Sequence, residues 1–429
     1  MRTILIILLA AVLSMLGTTA QGEVIPSLSG QIAYIGADYN VYVLDLATNT
    51  TRALTENAGA EANSVRFYQW PTWATDGRLA FFATLARGRT DFTTEVYITD
   101  GEDAPTLAYT GEVESFNYAY WAPRDCAPGC RELAVLLSSE AAGGFFIELI
   151  RSSAGDANGL TRTLGAGSPF YYSWSPDGTR MVWQRFGRQI DIFNVDSESI
   201  EQVLDVRLGQ FFAPAWSPVD DRILIGIANP ESSRSQTRLA IVTNDSVQPI
   251  TPPLEGNVAF SWSPDGNLIA YISSGDPLMV IDSVSGEIIA STPLGGVLAF
   301  FWSPDSANIA YVTLATPPGT FSAKSAQNSV SQLELAQASR GLAWSVLDVT
   351  TGAVERYASF IPTQEMTYLL TYFDQFAQSH RIWSPDSRHL LYSELTSDGL
   401  PVINLLDIST AFSVPLSIAQ GLVGIWSFD

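Results

Sequence analysis

The sequence predicts an all-β fold built from repeated four-stranded units, and three observations support this prediction. The phrase Trp-Ser-Pro-Asp-Gly, or its variant ending in serine, begins at Trp174, Trp262, Trp302 and Trp383. Sequence repeats of about 20–50 residues are typical of solenoids and propellers. A short apolar run follows each copy, as in Leu-Ile-Ala-Tyr-Ile at 268–272, which indicates a strand. Glycine (32 residues) and proline (23 residues) are spread through the chain, as expected for many short strands joined by tight turns. Together these features predict a β-propeller.

Two markers in the sequence count the blades of this propeller. The first is a tryptophan at the end of each innermost strand, found at Trp73, Trp121, Trp174, Trp216, Trp262, Trp302, Trp383 and Trp426. The second is a polar residue that ends each third strand, and it also gives a count of eight. We therefore expect eight four-stranded blades, with seven as the alternative. The strand at 422–426 is expected to pair with the strand at 31–35, which would close the ring and bury two sheet edges.

Each residue of the repeated turn has a structural use. Tryptophan carries enough apolar surface to fill the space between neighbouring blades. Proline presets φ for the turn, aspartate accepts hydrogen bonds from backbone N–H groups, and glycine adopts the left-handed conformation. The turn aspartates are therefore expected to be structural acceptors, with calcium binding or catalysis as the alternatives.

The phrase at 262–266, followed by Ile269, Ala270 and Tyr271, resembles the WD40-like (PD40) repeat of TolB-type propellers. The resemblance extends over nearly all of the chain after residue 20. TolB has a further domain before its propeller, whereas only residues 21–30 precede the first predicted strand here, so the TolB N-terminal domain is not expected. The resemblance implies an exported propeller that binds a protein or a peptide.

The N-terminus has the pattern of a secretory signal peptide. Arg2 precedes an apolar run at 4–16, and small residues lead to a predicted cleavage site after Ala20. An uncleaved anchor is the alternative, although the run is shorter than the about 20 residues that cross a bilayer. We therefore expect residues 1–20 to be removed, and residues 21–429 to form a single propeller domain that is secreted or periplasmic.

The charge of the chain limits the classes of partner that it can bind, and its cysteines indicate the cellular compartment. The net charge of −22 repels phosphate backbones and anionic membrane surfaces, so nucleic-acid binding is not expected. No second hydrophobic span follows the apolar run at 4–16, so stable membrane insertion after cleavage is not expected either. The two cysteines, Cys126 and Cys130, are predicted to form a disulfide that closes a turn, as suits an exported protein. A redox-active pair is the alternative, whereas no histidine or further cysteine lies nearby to complete a zinc site.

The interval of 81 residues between Trp302 and Trp383 predicts two insertions in the seventh blade. The first, at 316–339, contains a predicted helix at 325–337. The second, at 362–378, has Thr363 as a predicted N-cap and an apolar stripe at helical spacing. The stripe consists of Met366, Leu369, Leu370, Phe373 and Phe376. This helix is expected to cover the channel mouth or to dock a partner, unless its stripe only packs on the blade beneath.

Aromatic residues cluster just before the predicted innermost strands, so some are expected at the mouth of the channel. Stacking on a peptide or a sugar is the functional interpretation, and packing between blades is the alternative. His380 is placed on an innermost strand, where its imidazole would face the channel; a structural role is the alternative. The predicted partner-binding or ligand-binding face comprises Tyr68, Tyr118, Tyr171, Phe211, Phe300, Phe373 and His380.

Sequence motifs of known catalysts are scarce. The chain contains no Gly-x-Ser-x-Gly elbow, P-loop, zincin motif or EF-hand loop, so no catalytic residue, cofactor or metal site is predicted. The first hypothesis is an exported, non-enzymatic propeller that binds a protein or peptide on the face that carries the insertions. The alternative is an extracellular propeller that binds or processes glycan through channel-mouth aromatics and carboxylates. A purely structural scaffold is the third hypothesis.

Overall fold

The computed structural model describes residues 28–428, apart from 62, 89, 101–103, 128, 154–159, 233–235, 244–245 and 316–340. The predicted signal peptide at 1–20 and the predicted first insertion at 316–339 therefore lie outside the described residues. Within the described ranges, no helix combines the length and apolar character needed to cross a bilayer.

The described strands form seven antiparallel sheets. The first three strands are β1 (Gln31–Gly36), β2 (Val41–Asp45) and β3 (Thr50–Ala53). A five-stranded sheet follows, with β4 (Gly59–Glu61), β5 (Ser64–Trp73), β6 (Leu79–Ala86), β7 (Phe92–Thr99) and β8 (Thr106–Glu112). The next sheet contains β9 (Ser115–Ala127), β10 (Cys130–Ser139), β11 (Gly144–Ser153) and β12 (Leu160–Gly167). After it come β13 (Phe170–Trp174), β14 (Arg180–Arg185), β15 (Gln189–Asn194) and β16 (Ser199–Val203).

The second half of the chain repeats the arrangement. One sheet contains β17 (Ala215–Trp216), β18 (Ile223–Ala228), β19 (Gln236–Thr243), β20 (Ser246–Pro249) and β21 (Leu254–Glu255). The next contains β22 (Ala259–Trp262), β23 (Leu268–Ile272), β24 (Pro277–Asp282) and β25 (Ile288–Gly295). Another contains β26 (Val297–Trp302), β27 (Asn308–Leu314), β28 (Leu342–Asp348) and β29 (Val354–Phe360). The last three strands are β30 (His389–Leu395), β31 (Pro401–Asp407) and β32 (Leu416–Trp426).

Burial falls from the inner strands to the outer ones. Four consecutive residues of β23, Ile269 to Ile272, are all buried, because side chains on both faces of the strand meet a neighbouring sheet. The outermost strand β3 is exposed along its whole length. The core therefore lies between the sheets, as the apolar runs after each repeated turn predict.

One sheet joins strands from both ends of the described chain, in the order β3-β2-β1-β32-β31-β30. The first part of β32 pairs with β31, and Gln420 lies opposite Val402. Its second part pairs with β1, and Trp426 lies opposite Ile32. Because β32 serves two repeat units, β30 and β31, which follow Trp383, and β1 to β3 belong to one six-stranded sheet. The structure thus has seven sheets, the number stated as the alternative, and the expectation of eight four-stranded blades is corrected. Closure of a ring through this pairing stays a prediction.

The repeated turn is held by its serine and its aspartate. The Ser263 hydroxyl donates to Asp265 Oδ1 over 2.6 Å and accepts from the Leu268 N–H. Gly266 has a φ of +72°, the left-handed conformation that the turn was expected to need. Burial alone would raise the pKa of Asp265, but hydrogen bonds from Ser263 and Asn267 hold it below its usual value. Asp265 is thus a structural acceptor, and no metal-binding cluster occurs among the described residues.

The repeat tryptophans connect successive units. Seven of the eight are buried, the exception being the half-buried Trp302. The Trp262 indole N–H donates to the Ala215 carbonyl oxygen of the preceding sheet over 3.0 Å. Trp121 and Trp174 make the same kind of bond to Thr72 and Tyr120. The predicted role of these residues as wedges between units is confirmed at these positions.

The predicted disulfide between Cys126 and Cys130 is present, with its Cα atoms 5.4 Å apart. It links the end of β9 to the start of β10 across a tight turn. Since the cross-linked loop is short, the bond restricts the unfolded chain only locally.

Removing this disulfide is expected to weaken the fold without abolishing it. In the variant Cys126→Ser/Cys130→Ser, loop entropy predicts a loss of about 2 kcal/mol in the free energy of unfolding. Urea unfolding followed by tryptophan fluorescence measures this loss, and wild-type protein treated with reductant provides the control. A variant that no longer folds would contradict a purely local role.

Candidate functional site

The second predicted insertion forms two short helices, α1 (Gln364–Thr371) and α2 (Phe373–Phe376). Thr363 caps α1 as predicted, because its hydroxyl accepts from the Met366 N–H over 3.1 Å. We call residues 363–380, which comprise both helices and the turn after them, the plug.

The plug contacts the inner strands of several sheets rather than one. The Tyr118 hydroxyl of β9 donates to the Gln375 carbonyl oxygen over 3.0 Å. The Gln375 side chain donates to the Tyr172 carbonyl oxygen of β13 over 2.7 Å. At the other end of the plug, the Thr363 hydroxyl donates to the Leu422 carbonyl oxygen of β32 over 2.7 Å. The plug therefore lies where the inner strands of different sheets converge.

The apolar stripe of the plug faces this convergence point. All five predicted stripe residues are buried: Met366, Leu369, Leu370, Phe373 and Phe376. The Phe376 ring lies 4.9 Å from Trp70 and 5.2 Å from Tyr118, and the Phe373 ring lies 4.9 Å from Phe300. The stripe thus packs against rings from three different sheets, so it does more than cover the blade beneath it.

His380 does not lie on a strand, which corrects the predicted position. It follows α2 and is buried, with Nε2 3.1 Å from Thr72 Oγ1 and Nδ1 2.7 Å from Ser379 Oγ. Burial lowers the pKa of His380 to about 3, so its ring is neutral at physiological pH. An isolated bridge between Trp383 and Leu390 stands where the innermost strand of this unit was expected, because the preceding residues belong to the plug.

The other predicted face residues divide into two groups. Tyr68, Phe211 and Phe300 are buried among other rings, and the Tyr68 hydroxyl donates to Asn57 Oδ1. Tyr118, Tyr171 and Phe373 line two clefts beside the plug. A ligand-binding role for the seven residues Tyr68, Tyr118, Tyr171, Phe211, Phe300, Phe373 and His380 stays a prediction.

The larger cleft has a volume of about 320 Å³ and lies between the plug and the loops of three sheets. Its lining comprises residues 256–259, 272–275 and 296–298, together with Gln210, Phe212, Thr371, Phe373 and Asp374. These loops follow the second or the fourth strand of a unit. Both insertions occur at connections of the same two kinds, so the cleft lies on the face predicted to carry function.

The smaller cleft has a volume of about 100 Å³ and is mainly aromatic. Tyr171, Tyr368 and Tyr372 line it beside Phe145. The Tyr171 ring also lies 5.8 Å from the ring of Phe212, which lines the larger cleft. The two clefts are therefore neighbours, separated by this pair of rings.

Comparison with known proteins adds information on the fold. No protein-family model and no curated protein matches the sequence. Among solved structures, a eukaryotic initiation factor matches with a TM-score of 0.52 at 11% identity, over 94% of this chain and 98% of that one. The C-terminal WD40 domain of Sif2 matches with a TM-score of 0.48 at 11% identity, over 84% of this chain and 88% of that domain. TolB from Acinetobacter baumannii matches with a TM-score of 0.39 at 13% identity, over 87% and 88%.

At these identities the likenesses concern the fold alone. The structure has seven antiparallel sheets, and inner strands of several of them contact the plug. The chain is an all-β propeller. Membership of the TolB-type repeat family stays a prediction.

The electrostatics of the larger cleft of this propeller depend on one residue. Among the described residues that line it, Asp374 is the only one with an ionisable side chain, and it is 3% exposed. Its two oxygens accept from the Ala213 N–H over 3.3 Å and from the Gln375 N–H over 3.0 Å. Burial raises the pKa of Asp374 to about 6, although these backbone bonds favour the charged form. No cation among the described residues contributes to its pKa.

Asp374 is not among the residues that the sequence predicts to be functional. It lies next to Phe373 in a segment whose apolar residues recur at helical spacing. A carboxylate beside such a stripe is ordinarily exposed to solvent. The sequence feature that could have pointed to Asp374 is its position between two aromatic residues of the stripe, Phe373 and Phe376. Chemically, the arrangement offers a buried hydrogen-bond acceptor in a cleft lined by apolar and neutral polar groups.

Proposed function

We propose that this propeller is an exported, non-enzymatic binding protein that holds a peptide segment of a partner in the larger cleft. The observation that carries the proposal is the cleft itself. Its volume of about 320 Å³ lies near the lower end of the range for ligand sites, which suits one or two residues of a peptide. Export is supported by the signal-peptide pattern at 1–20 and by the Cys126–Cys130 disulfide.

The loops around the cleft are suited to contact with a peptide backbone. Gly256 and Gly296 both have left-handed φ angles, +70° and +88°. A Cβ on Gly256 would clash with Ser274 Oγ, whereas no described atom beyond the chain neighbours of Gly296 lies within 4 Å of its Cβ position. The rim is therefore narrow at Gly256 and open at Gly296, and both positions leave main-chain groups accessible to a ligand.

Filling the cleft is expected to abolish peptide binding. Ser274 is exposed on the β23–β24 turn and lines the cleft, so Ser274→Trp should block the site without disturbing the core. We expect it to reduce binding to an array of short random-sequence peptides at least about 10-fold. Ser397→Trp, in the exposed β30–β31 turn, is the matched control and should bind as the wild type does. An array to which the wild type does not bind, or to which Ser274→Trp binds unchanged, would overturn the proposal.

Glycan binding is the second candidate, and the smaller cleft is the observation that favours it. Tyr171 and Tyr372 there present aromatic surface on which a sugar ring can stack. A glycan array separates the two functions, because binding that is unaffected by Ser274→Trp but lost in Tyr171→Ala would assign the ligand to the smaller cleft.

A further inference from the structure

We propose that the larger cleft recognises a cationic group, an alkylammonium or guanidinium at the end of an apolar stem, with Asp374 as its counter-ion. The inference rests on the peptide-binding role proposed above and specifies the ligand as a basic side chain. It follows from the lining of the cleft, in which one buried carboxylate is surrounded by apolar and neutral polar groups.

The Asp374 carboxylate has hydrogen-bonding capacity that the protein does not use. An ionised carboxylate offers about four acceptor sites. The N–H groups of Ala213 and Gln375 occupy one site on each oxygen, and the N–H group of Asp374 itself also favours the charged form. A buried carboxylate without a paired cation is unfavourable, and no such cation is found around Asp374 within the described residues. A ligand that brings a cation would therefore supply both the missing charge and further donors.

The walls of the cleft suit the stem of a basic side chain. Val258, Val297 and Leu298 provide aliphatic surface, and Phe212 and Phe373 provide aromatic rings. Alkyl stems of lysine and arginine pack on such surfaces while the charged end reaches a polar partner, and rings near a cation stabilise it further.

The charge of the whole chain points to the same class of ligand. A net charge of −22 attracts cationic partners and repels anionic ones over long distances. None of the described lining residues is basic, so Asp374 would repel an anionic ligand. A neutral ligand would leave the charge of Asp374 uncompensated.

The test compares Nα-acetyl-lysine amide with Nα-acetyl-norleucine amide, which differ at the ammonium group, and with n-butylamine as a free amine. Ligand-observed NMR with the full chain gives their affinities. We expect the lysine amide to bind wild type on the order of 30-fold more tightly than the norleucine amide. Asp374→Asn should remove this preference. Asp398→Asn, which removes an equal charge from the exposed β30–β31 turn, should retain it.

The outcomes separate this inference from the proposed function. Equal affinity for the two amides, or a lysine preference that survives Asp374→Asn, overturns the inference. Suppose that Ser274→Trp loses binding to the array peptides, but that the peptides bound by wild type are not enriched in lysine or arginine. Peptide binding then stands and the inference fails. If the array is blank but lysine amide or butylamine binds through Asp374, the inference holds for a free amine and the peptide proposal fails. Melting curves of each variant show that loss of binding is not loss of folding.

Discussion

Replacing Phe376 by alanine is expected to lower the free energy of unfolding by about 4 kcal/mol. Phe376 is 1% exposed, and its ring lies 4.9 Å from Trp70, 5.2 Å from Tyr118 and 4.8 Å from His380. The truncation would leave a cavity where the inner strands converge, lined by rigid rings that cannot move together to fill it. Equilibrium unfolding in urea, followed by tryptophan fluorescence, measures the loss.

Phe412→Ala provides the matched control for this substitution. Phe412 is 92% exposed in the loop between β31 and β32, so its truncation should change the free energy of unfolding by less than about 0.5 kcal/mol. If Phe376→Ala were no more destabilising than Phe412→Ala, the plug would not be part of the folded core. The plug would then be a separate element resting on the sheets.

Local patterns in the sequence were sufficient to predict that the plug is helical, but not where it packs. The spacing of Met366, Leu369 and Phe373, with Thr363 before them, depends only on neighbouring residues. Its partners are far away in the sequence: Gln375 bonds to Tyr172 across 203 positions and to Tyr118 across 257. Such contacts depend on how all the sheets come together, so the sequence left covering, docking and simple packing as alternatives.

The blade count shows a related limit. Tryptophan markers count repeat units, whereas sheets are defined by hydrogen bonds between strands. Trp383 and Trp426 mark two units, yet β32 pairs with β31 on one side and with β1 on the other. In the structure, β32 is one strand of 11 residues that continues from one unit into the next. The sequence markers assign its two parts to different units, so they predict two separate short strands. The pairing partners themselves, 422–426 with 31–35, followed from the strand order alone.

For the candidate site, residue type was a poor guide because aromatic side chains serve both cores and ligands. Phe300 and Tyr68 are buried by their neighbours, whereas Tyr171, from the same kind of position, lines a cleft. Phe300 packs against Phe373 of the plug, and Tyr68 packs against Phe81 and Tyr97 of its own sheet. Asp374 was missed because a carboxylate in a surface insertion is expected to be exposed. Its burial depends on contacts that form only when the sheets and the plug come together.

Asp374→Asn is expected to raise the free energy of unfolding at pH 7.5 by about 2 kcal/mol. Burial raises the pKa of Asp374 from its ordinary value near 3.8 to about 6, so the folded protein holds this proton more tightly than the unfolded chain. The stability due to the protonated carboxyl is fully present below about pH 4 and is lost as the pH rises through 6. The shift corresponds to about 3 kcal/mol, and about 1 kcal/mol is subtracted because the asparagine amide cannot accept from both backbone N–H groups.

Urea unfolding at pH 4.5 and pH 7.5 measures this effect. The advantage of Asp374→Asn over wild type should be small at pH 4.5 and reach its full size at pH 7.5, whereas the exposed control Asp398→Asn should show no such growth. An advantage that is absent at pH 7.5, or that does not increase with pH, would mean that Asp374 is not desolvated. A residue that weakens the fold at neutral pH is typical of a binding site. In the presence of lysine amide, wild type should therefore recover stability that Asp374→Asn cannot gain, because only the carboxylate can pair with the added cation.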